Sequence, residues 1–387
     1  MYQENIVFKP CDLRIERLNE GSPLLSPTTN WWESGVTFNP AAIFIQRKPQ
    51  NQQVIDNLLG KENLDDPRAT EGIAVIHYRA RPKEEKSARP FSASYSGLAI
   101  FNPELELIKR YDKPIILPDD DETHFDHIGV EDGRLNFFEG HYYYLYCGVS
   151  HGSDPNLTWN VKAQLCLAKS KDLINWTKLG PIAGDVNAPD CNNKDGAFFP
   201  DKIEGKYFML HRPCYDDNYS RYAIALAMSE TLNGQWTDLG VIKQSDPLPS
   251  VAQHVWVGAG SVPIKIDENR YIVIYHRGHL LNCGNKWYDL HAALFNFNNF
   301  DPKNPGAIIE RRVERLMVPE TEHELNSVST DGVSNVVFTC GSYEYKGDIY
   351  ILYGAADCCT LAAKINKQEL VDALLNGEQV DYSKKTA

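Results

Sequence analysis

The chain has 387 residues, 42% hydrophobic and 11% aromatic, with a formal net charge of −13. That length exceeds what one hydrophobic core usually serves, so several domains or a repeat architecture is expected. The acidic balance argues against nucleic acid or an anionic membrane as the main partner, though not against a small anion in a local basic pocket.

The nine cysteines are scattered without CxxC spacing, so neither a zinc site nor a disulfide framework is indicated; they read as reduced thiols. No apolar run is long enough to span a bilayer, and the first residues lack a basic-then-apolar leader. A cytoplasmic protein is expected; whether it forms a homo-oligomer is left open.

Residues 1–35 mix charge with Pro and Ser and read as an extended N-terminal extension. A unit then recurs. Its centre is a small turn followed by an aromatic, β-branched strand, at 71–79 (EGIAVIHYR), 139–146 (EGHYYYLY), 204–212 (EGKYFMLHR), 269–277 (NRYIVIYHR) and 346–353 (KGDIYILY). Each is preceded by a shorter apolar strand, at 41–45, 135–138, 197–199, 262–266 and 335–338. Most are followed by a small-residue strand, and two copies add a fourth element ending in Trp176 or Trp236. Residues 46–70 read as a polar insertion. Residues 367–375 have helical apolar spacing before Asn376-Gly377, predicting a short C-terminal helix.

Short strands with Gly turns at a near-constant period predict an all-β, five-bladed β-propeller over residues 36–365, with 366–387 as helix and tail. A sandwich of unrelated strands is the alternative. In a propeller the first strand of each blade lines the axis, so the loops entering those strands converge. Here they are 38–40 (Phe-Asn-Pro), 129–134 (Gly-Val-Glu-Asp-Gly-Arg), 194–196 (Lys-Asp-Gly), 258–260 (Gly-Ala-Gly) and 330–332 (Thr-Asp-Gly). The second strands end in Arg79, His211-Arg212 and His276-Arg277, and Asp357 follows the last copy.

The second of these loops carries adjacent carboxylates, Glu131 and Asp132. On a regular strand neighbours point to opposite faces, so only one can aim at a given site. Arg134 shares the parity of Asp132 and could pair with it. Upstream lies an acidic, His-containing approach, residues 119–127. Lys194, Lys202, His211, Arg212, His276, Arg277 and His279 form a local basic surplus suited to an anion. The loops offer only scattered Asp and His, without metal-ligand spacing, so no metal is expected.

Taken in order, Phe-Asn-Pro-Ala-Ala (38–42), Gly-Val-Glu-Asp (129–132), the 194–213 segment from Lys-Asp to His-Arg-Pro, Gly-Ala-Gly (258–260), Ile-Tyr-His (274–276) and Tyr-Gly-Ala-Ala-Asp (353–357) resemble glycoside hydrolase family 130. That resemblance implies a five-bladed propeller cleaving β-mannosides of short oligosaccharides with inversion. Most members act by phosphorolysis, a minority by hydrolysis. It implies that Asp132 is the catalytic acid, acting through a sugar hydroxyl in several members. Asn39, Arg79 and Asp357 match its sugar-binding positions and Lys194 a phosphate-binding one, with inorganic phosphate as co-substrate and no cofactor implied. From their places at the loop and strand ends, Asp195, His211 and Arg212 are further candidates for the sugar, and His276 and Arg277 for phosphate. Inverting cleavage needs one acid and a nucleophile on the opposite face, and phosphate needs no protein base.

Three departures bear on the subtype. Gly133 follows the acid where Pro is common. Lys194 stands where Arg is frequent, and Trp256 stands where a Lys is common. No Glu replaces them to activate water, so phosphorolysis leads over hydrolysis, and Asp195 is the first suspect for a water-activating base if hydrolysis holds. A non-catalytic carbohydrate-binding propeller is the reading from a different class.

Overall fold

The computed structural model describes residues 8–84, 92–152, 160–189, 191–214, 222–244, 248–329 and 332–379. Five sheets run through them, each a meander of antiparallel strands from the axis outward. They form a five-bladed β-propeller. Blade 1 is Val36–Gln46, Gly72–Arg81, Tyr95–Phe101 and Leu107–Arg110. Blade 2 is Gly129–Phe138, His141–His151, Val161–Ser170 and Thr177–Pro181. Blade 3 is Asn192–Phe198, Tyr207–Cys214, Ile224–Ser229 and Gln235–Lys243, with Ala183–Gly184 added in parallel outside. Blade 4 is Ala252–Ala259, Arg270–Leu281, Lys286–Asn296 and Ile309–Met317. Blade 5 is Val337–Tyr345, Asp348–Ala355, Cys359–Asn366 and Glu16–Arg17.

Strands here read as nearly continuous apolar runs because both faces of every blade are covered. Alternate residues serve opposite neighbours. In blade 1, Ile73 and Val75 join Leu135 and Tyr144 of blade 2 in one core. Ala74, Ile76 and Tyr78 join Tyr343 and Leu352 of blade 5 in another. Three further cores fill the seams between blades 2 and 3, 3 and 4, and 4 and 5. The same alternation carries Arg79, one turn of the pleat beyond Val75 and His77, toward blade 2.

Segments before the first blade and after the last one close the ring. Glu16 and Arg17 pair with Lys364 and Ala363, so the segment before residue 36 supplies the outer strand of blade 5. Arg17 then grips the buried Glu324 through Nε at 2.8 Å and Nη2 at 3.0 Å. At the other end, helix Lys367–Leu375 buries Leu370 and Leu374 in the core between blades 4 and 5. Glu378–Gln379 continues onto the edge of blade 4.

Three local expectations are corrected. The inner strand of blade 4 is Ala252–Ala259 rather than 262–266. Pro263, which cannot donate to a ladder, interrupts the strand, and only Ile264–Lys265 resumes pairing. Trp176 and Trp236 do not end a fourth strand: Trp176 immediately precedes Thr177–Pro181, and Trp236 is the second residue of Gln235–Lys243. Their indole N–H groups bond back to the carbonyls of Leu173 (3.1 Å) and Leu232 (3.2 Å), fixing the preceding turn. The 46–70 insertion is not merely polar: helix Gln52–Leu59 buries Ile55, Leu58 and Leu59 against blade 1.

Candidate active site

Three consecutive inner strands share one device. The pairing of each with its neighbour slips between Phe38 and Ala41, between Glu131 and Arg134, and between Lys194 and Ala197. The residue at each slip is in the left-handed region: Asn39 (φ 48°), Asp132 (φ 50°) and Asp195 (φ 56°). Asn and Asp tolerate that region better than other side-chain-bearing residues. A bulge re-aims its side chain out of the regular alternation. Three polar groups are thereby displayed at equivalent points around the axis.

The bulge in blade 2 overturns the expected alternation of Glu131 and Asp132. Both carboxylates reach the same guanidinium: Arg79 Nη2 lies 2.5 Å from Glu131 Oε1, and Arg79 Nη1 lies 3.2 Å from Asp132 Oδ1. Asn39 Nδ2 also donates to Asp132 Oδ1, at 2.9 Å. Ser94, which the sequence did not single out, donates to Glu131 Oε1 at 2.9 Å and accepts from Arg79 Nε at 3.0 Å. Lys194 Nζ lies 3.8 Å from Glu131 Oε2. Burial works against the Asp132 charge, but Arg79, Lys194 and the Asn39 bond outweigh it and hold the carboxyl below its ordinary range. Burial likewise opposes the charge on Lys194, while Cys147, Glu131 and Asp132 hold it above the usual lysine value.

Arg134 does not pair with the Asp132 carboxylate. It is buried and donates to the main-chain oxygens of Asp132 (2.8 Å), Ala259 (2.8 Å) and Gly260 (2.9 Å). It therefore spans the axis from blade 2 to blade 4 beneath the acid. Gly133 has a steric reason. A Cβ there would lie 2.0 Å from the Cζ of Tyr144, so the space a proline ring would need is filled by an aromatic ring of the next strand.

The blade 3 group is a second centre. Lys194 and Arg212 are cross-strand partners and leave the sheet on one face. Arg212 Nη1 sits 2.9 Å from Asp195 Oδ2 and 3.1 Å from His276 Nε2. His276 Nε2 is 3.4 Å from the same Asp195 oxygen. Gly258 permits this meeting, since a Cβ on it would stand 2.1 Å from Asp195 Oδ2. Asp195 is only 2% exposed. Despite burial, Arg212 and His276 hold it far below the carboxylate range. It is a counter-ion for Arg212 rather than an open group, and a poor base for activating water. Burial lowers His276 below its usual value, against the pull of Asp195.

His211 and Arg277 are not brought to this group. Each is adjacent on its strand to a residue that is, so parity turns it to the other face. His211 Nδ1 meets Asn193 at 2.9 Å and its Nε2 meets Asp238 at 3.3 Å. Arg277 stands opposite Asp289, with Nε 3.5 Å from its Oδ1. Lys202 is on the far side, bonded to Glu139 at 2.9 Å. Trp256 is buried, edge-on to Tyr288 at 5.4 Å. Thr330 and Asp331 lie outside the described residues.

Asp357 (φ 49°) follows blade 5's second strand. Burial chiefly, with Asp132 adding and Arg79 and Lys286 opposing, pushes its carboxyl up to about 6. Lys286 is a cation near the site that had no signal in the repeat. Among the described residues no group of three or more His, Cys, Asp or Glu is arranged to hold a metal ion.

Carboxylates held at bulges beside fixed cations, at one end of a five-bladed propeller, fit a carbohydrate-cleaving propeller enzyme. The family model described as beta-1,4-mannooligosaccharide phosphorylase matches residues 73–376, and the chain belongs to that family, glycoside hydrolase family 130. It is 30% identical over 345 residues to 1,2-beta-oligomannan phosphorylase of Thermoanaerobacter sp. (strain X514), covering 89% of this chain and 95% of that protein. It is 30% identical over 362 residues to Beta-1,2-mannobiose phosphorylase of the same organism, covering 92% and 99%. Among solved structures, the Listeria innocua Beta-1,2-mannobiose phosphorylase in complex with beta-1,2-mannobiose superposes with a TM-score of 0.67 at 21% identity. That match covers 94% of this chain and all of that one, and supports the fold.

Proposed function

We propose that this enzyme cleaves β-mannosidic bonds of short oligosaccharides, β-1,2 bonds foremost, by inverting phosphorolysis to mannose 1-phosphate. The observation that carries the reading is the pairing of Asp132 with an adjacent cationic edge. Lys194 and Arg212 project together beside an acid already framed by Asn39 and Arg79. The β-1,2 preference rests on the names of the two relatives that align over most of the chain.

In this scheme Asn39 and Arg79 orient the sugar at Asp132. Lys194 and Arg212 hold a phosphate dianion with charge-assisted hydrogen bonds, and His276 braces Arg212. One phosphate oxygen attacks the anomeric carbon as the bond to the leaving sugar breaks. The leaving oxygen takes the proton of Asp132, directly or through a sugar hydroxyl.

Asp132 is ionised in the free site, so it must take up a proton from solvent as the substrates bind before it can donate one. Phosphate supplies the reason. Its charge offsets Lys194, one of the cations that depress Asp132, and so raises the acid's pKa when the nucleophile is in place. No protein base is required. Hydrolysis is the less supported alternative, because Asp195 is sequestered by Arg212. The test is Lys194→Ala. The phosphate KM should rise at least about tenfold, the scale of one lost charged hydrogen bond. The sugar KM should move much less. Equal changes in both would remove Lys194 from phosphate binding.

A further inference from the structure

The acidic approach at 119–127 is not absorbed by the catalytic site. Asp126 is fully buried and takes bonds from His124 (2.7 Å), Tyr146 (3.0 Å) and Lys178 (2.6 Å). The preceding residues line a lateral cleft of about 590 Å³ at the seam of blades 1 and 2. Trp31 and Leu117 lie on its walls with Tyr95, Trp176, Asp119 and Asp120. Trp31 is 43% exposed and Leu117 is 48% exposed, in a protein that buries most of its large apolar side chains. Trp31 is held edge-on to Tyr95 at 5.4 Å and 84°, which fixes its ring while leaving it open to solvent.

The cleft sets an exposed indole and an exposed leucine among polar groups. A ring held in place beside carboxylates is the chemistry that recognises a sugar. The apolar face of a pyranose stacks on the indole, and hydroxyls donate to carboxylate oxygens, which can each accept more than one bond. Asp119 and Asp120 disfavour nucleic acid and anionic ligands, and Lys178 on the same wall is committed to Asp126 and the Leu117 carbonyl. Tyr95 is the residue after Ser94, which bonds both Arg79 and Glu131.

We propose that the Trp31 cleft is a second, non-catalytic carbohydrate site that binds β-mannoside chains longer than the disaccharide. The inference rests on the proposed β-mannoside activity. It adds that the enzyme grips long chains outside the axial site, with Trp31 as the platform.

The test uses Asp132→Asn as the background, to prevent turnover, and titrates it calorimetrically with β-1,2-mannobiose and with a long β-1,2-manno-oligosaccharide. Adding Trp31→Ala should weaken the long chain by about three- to tenfold, the range of one lost aromatic contact. Mannobiose affinity should stay the same, and Trp31→Tyr, which keeps a platform, should retain most long-chain binding. Equal long-chain affinity with and without Trp31 would overturn the inference. So would an equal loss for both sugars, or Trp31→Tyr behaving like Trp31→Ala. If neither sugar binds the Asp132→Asn protein, the reading of the activity itself fails, and the inference with it.

Discussion

Asp132 and Asp357 occupy the same electrostatic field and are driven in opposite directions. Asp132 receives Arg79 and Asn39 directly and is held ionised, whereas Asp357 is buried with less compensation. Replacing Asp132 by Asn should lower turnover at least about 10²-fold, the low end for a lost general acid. Wild-type turnover in that variant would move the acid elsewhere. Asp357 gives a stability prediction with a definite sign. An unfolded Asp titrates near pH ~3.9, while the folded one titrates near 6. Between those values the folded form retains the proton that the unfolded form has lost, so Asp357 erodes stability as pH rises and levels off above about 6. Asp357→Asn should therefore match wild type near pH ~4 and be more stable by up to about 3 kcal/mol at pH ~7. Denaturant unfolding across that range checks it, and a flat difference would contradict the assignment. At this scale the sequence exposed Asn39, Arg79 and Asp132 through their motifs. It could not choose between His211 and Arg212, or His276 and Arg277. Adjacent strand residues face opposite ways, and which face meets the axial group depends on packing between blades.

The bulges are the elements that make the site. They were not legible in the sequence, because a register slip is a property of two strands. A regular strand would have separated Glu131 from Asp132; the slip lets Arg79 bridge them. The close approach of Tyr144 to Gly133 provides a test. Gly133→Ala should destabilise the fold by about 1–3 kcal/mol through overpacking and lower turnover by displacing Asp132. Truncating Tyr144 to Ala in the same chain should restore activity toward that of Tyr144→Ala alone. An unchanged denaturation midpoint and turnover in Gly133→Ala would mean that the turn yields freely. The aromatic second strands were readable for the opposite reason: apolar residues facing both neighbouring blades leave a signal independent of register.

The whole molecule is a ring, and a ring needs closing. The five repeats predicted the blades, but Glu16–Arg17 was invisible as a strand, since two residues carry no period. Its role depends on Arg17 reaching Glu324 some 300 residues away. Arg17→Ala leaves Glu324 buried with fewer donors, though Tyr353 Oη still donates at 2.7 Å. The cost should be about 3 kcal/mol, near the low end for a broken buried pair. A loss below about 0.5 kcal/mol, measured by denaturant unfolding, would place closure elsewhere.

The ring brings Asn39, Asp132 and the Lys194–Arg212 edge to one mouth, where we propose that phosphate is the nucleophile. The direct measurement is product analysis of β-1,2-mannobiose turnover with and without inorganic phosphate. Mannose 1-phosphate and mannose are expected in equal amounts when phosphate is present, with little turnover without it. Free mannose formed at the same rate in both, with no mannose 1-phosphate, would contradict it.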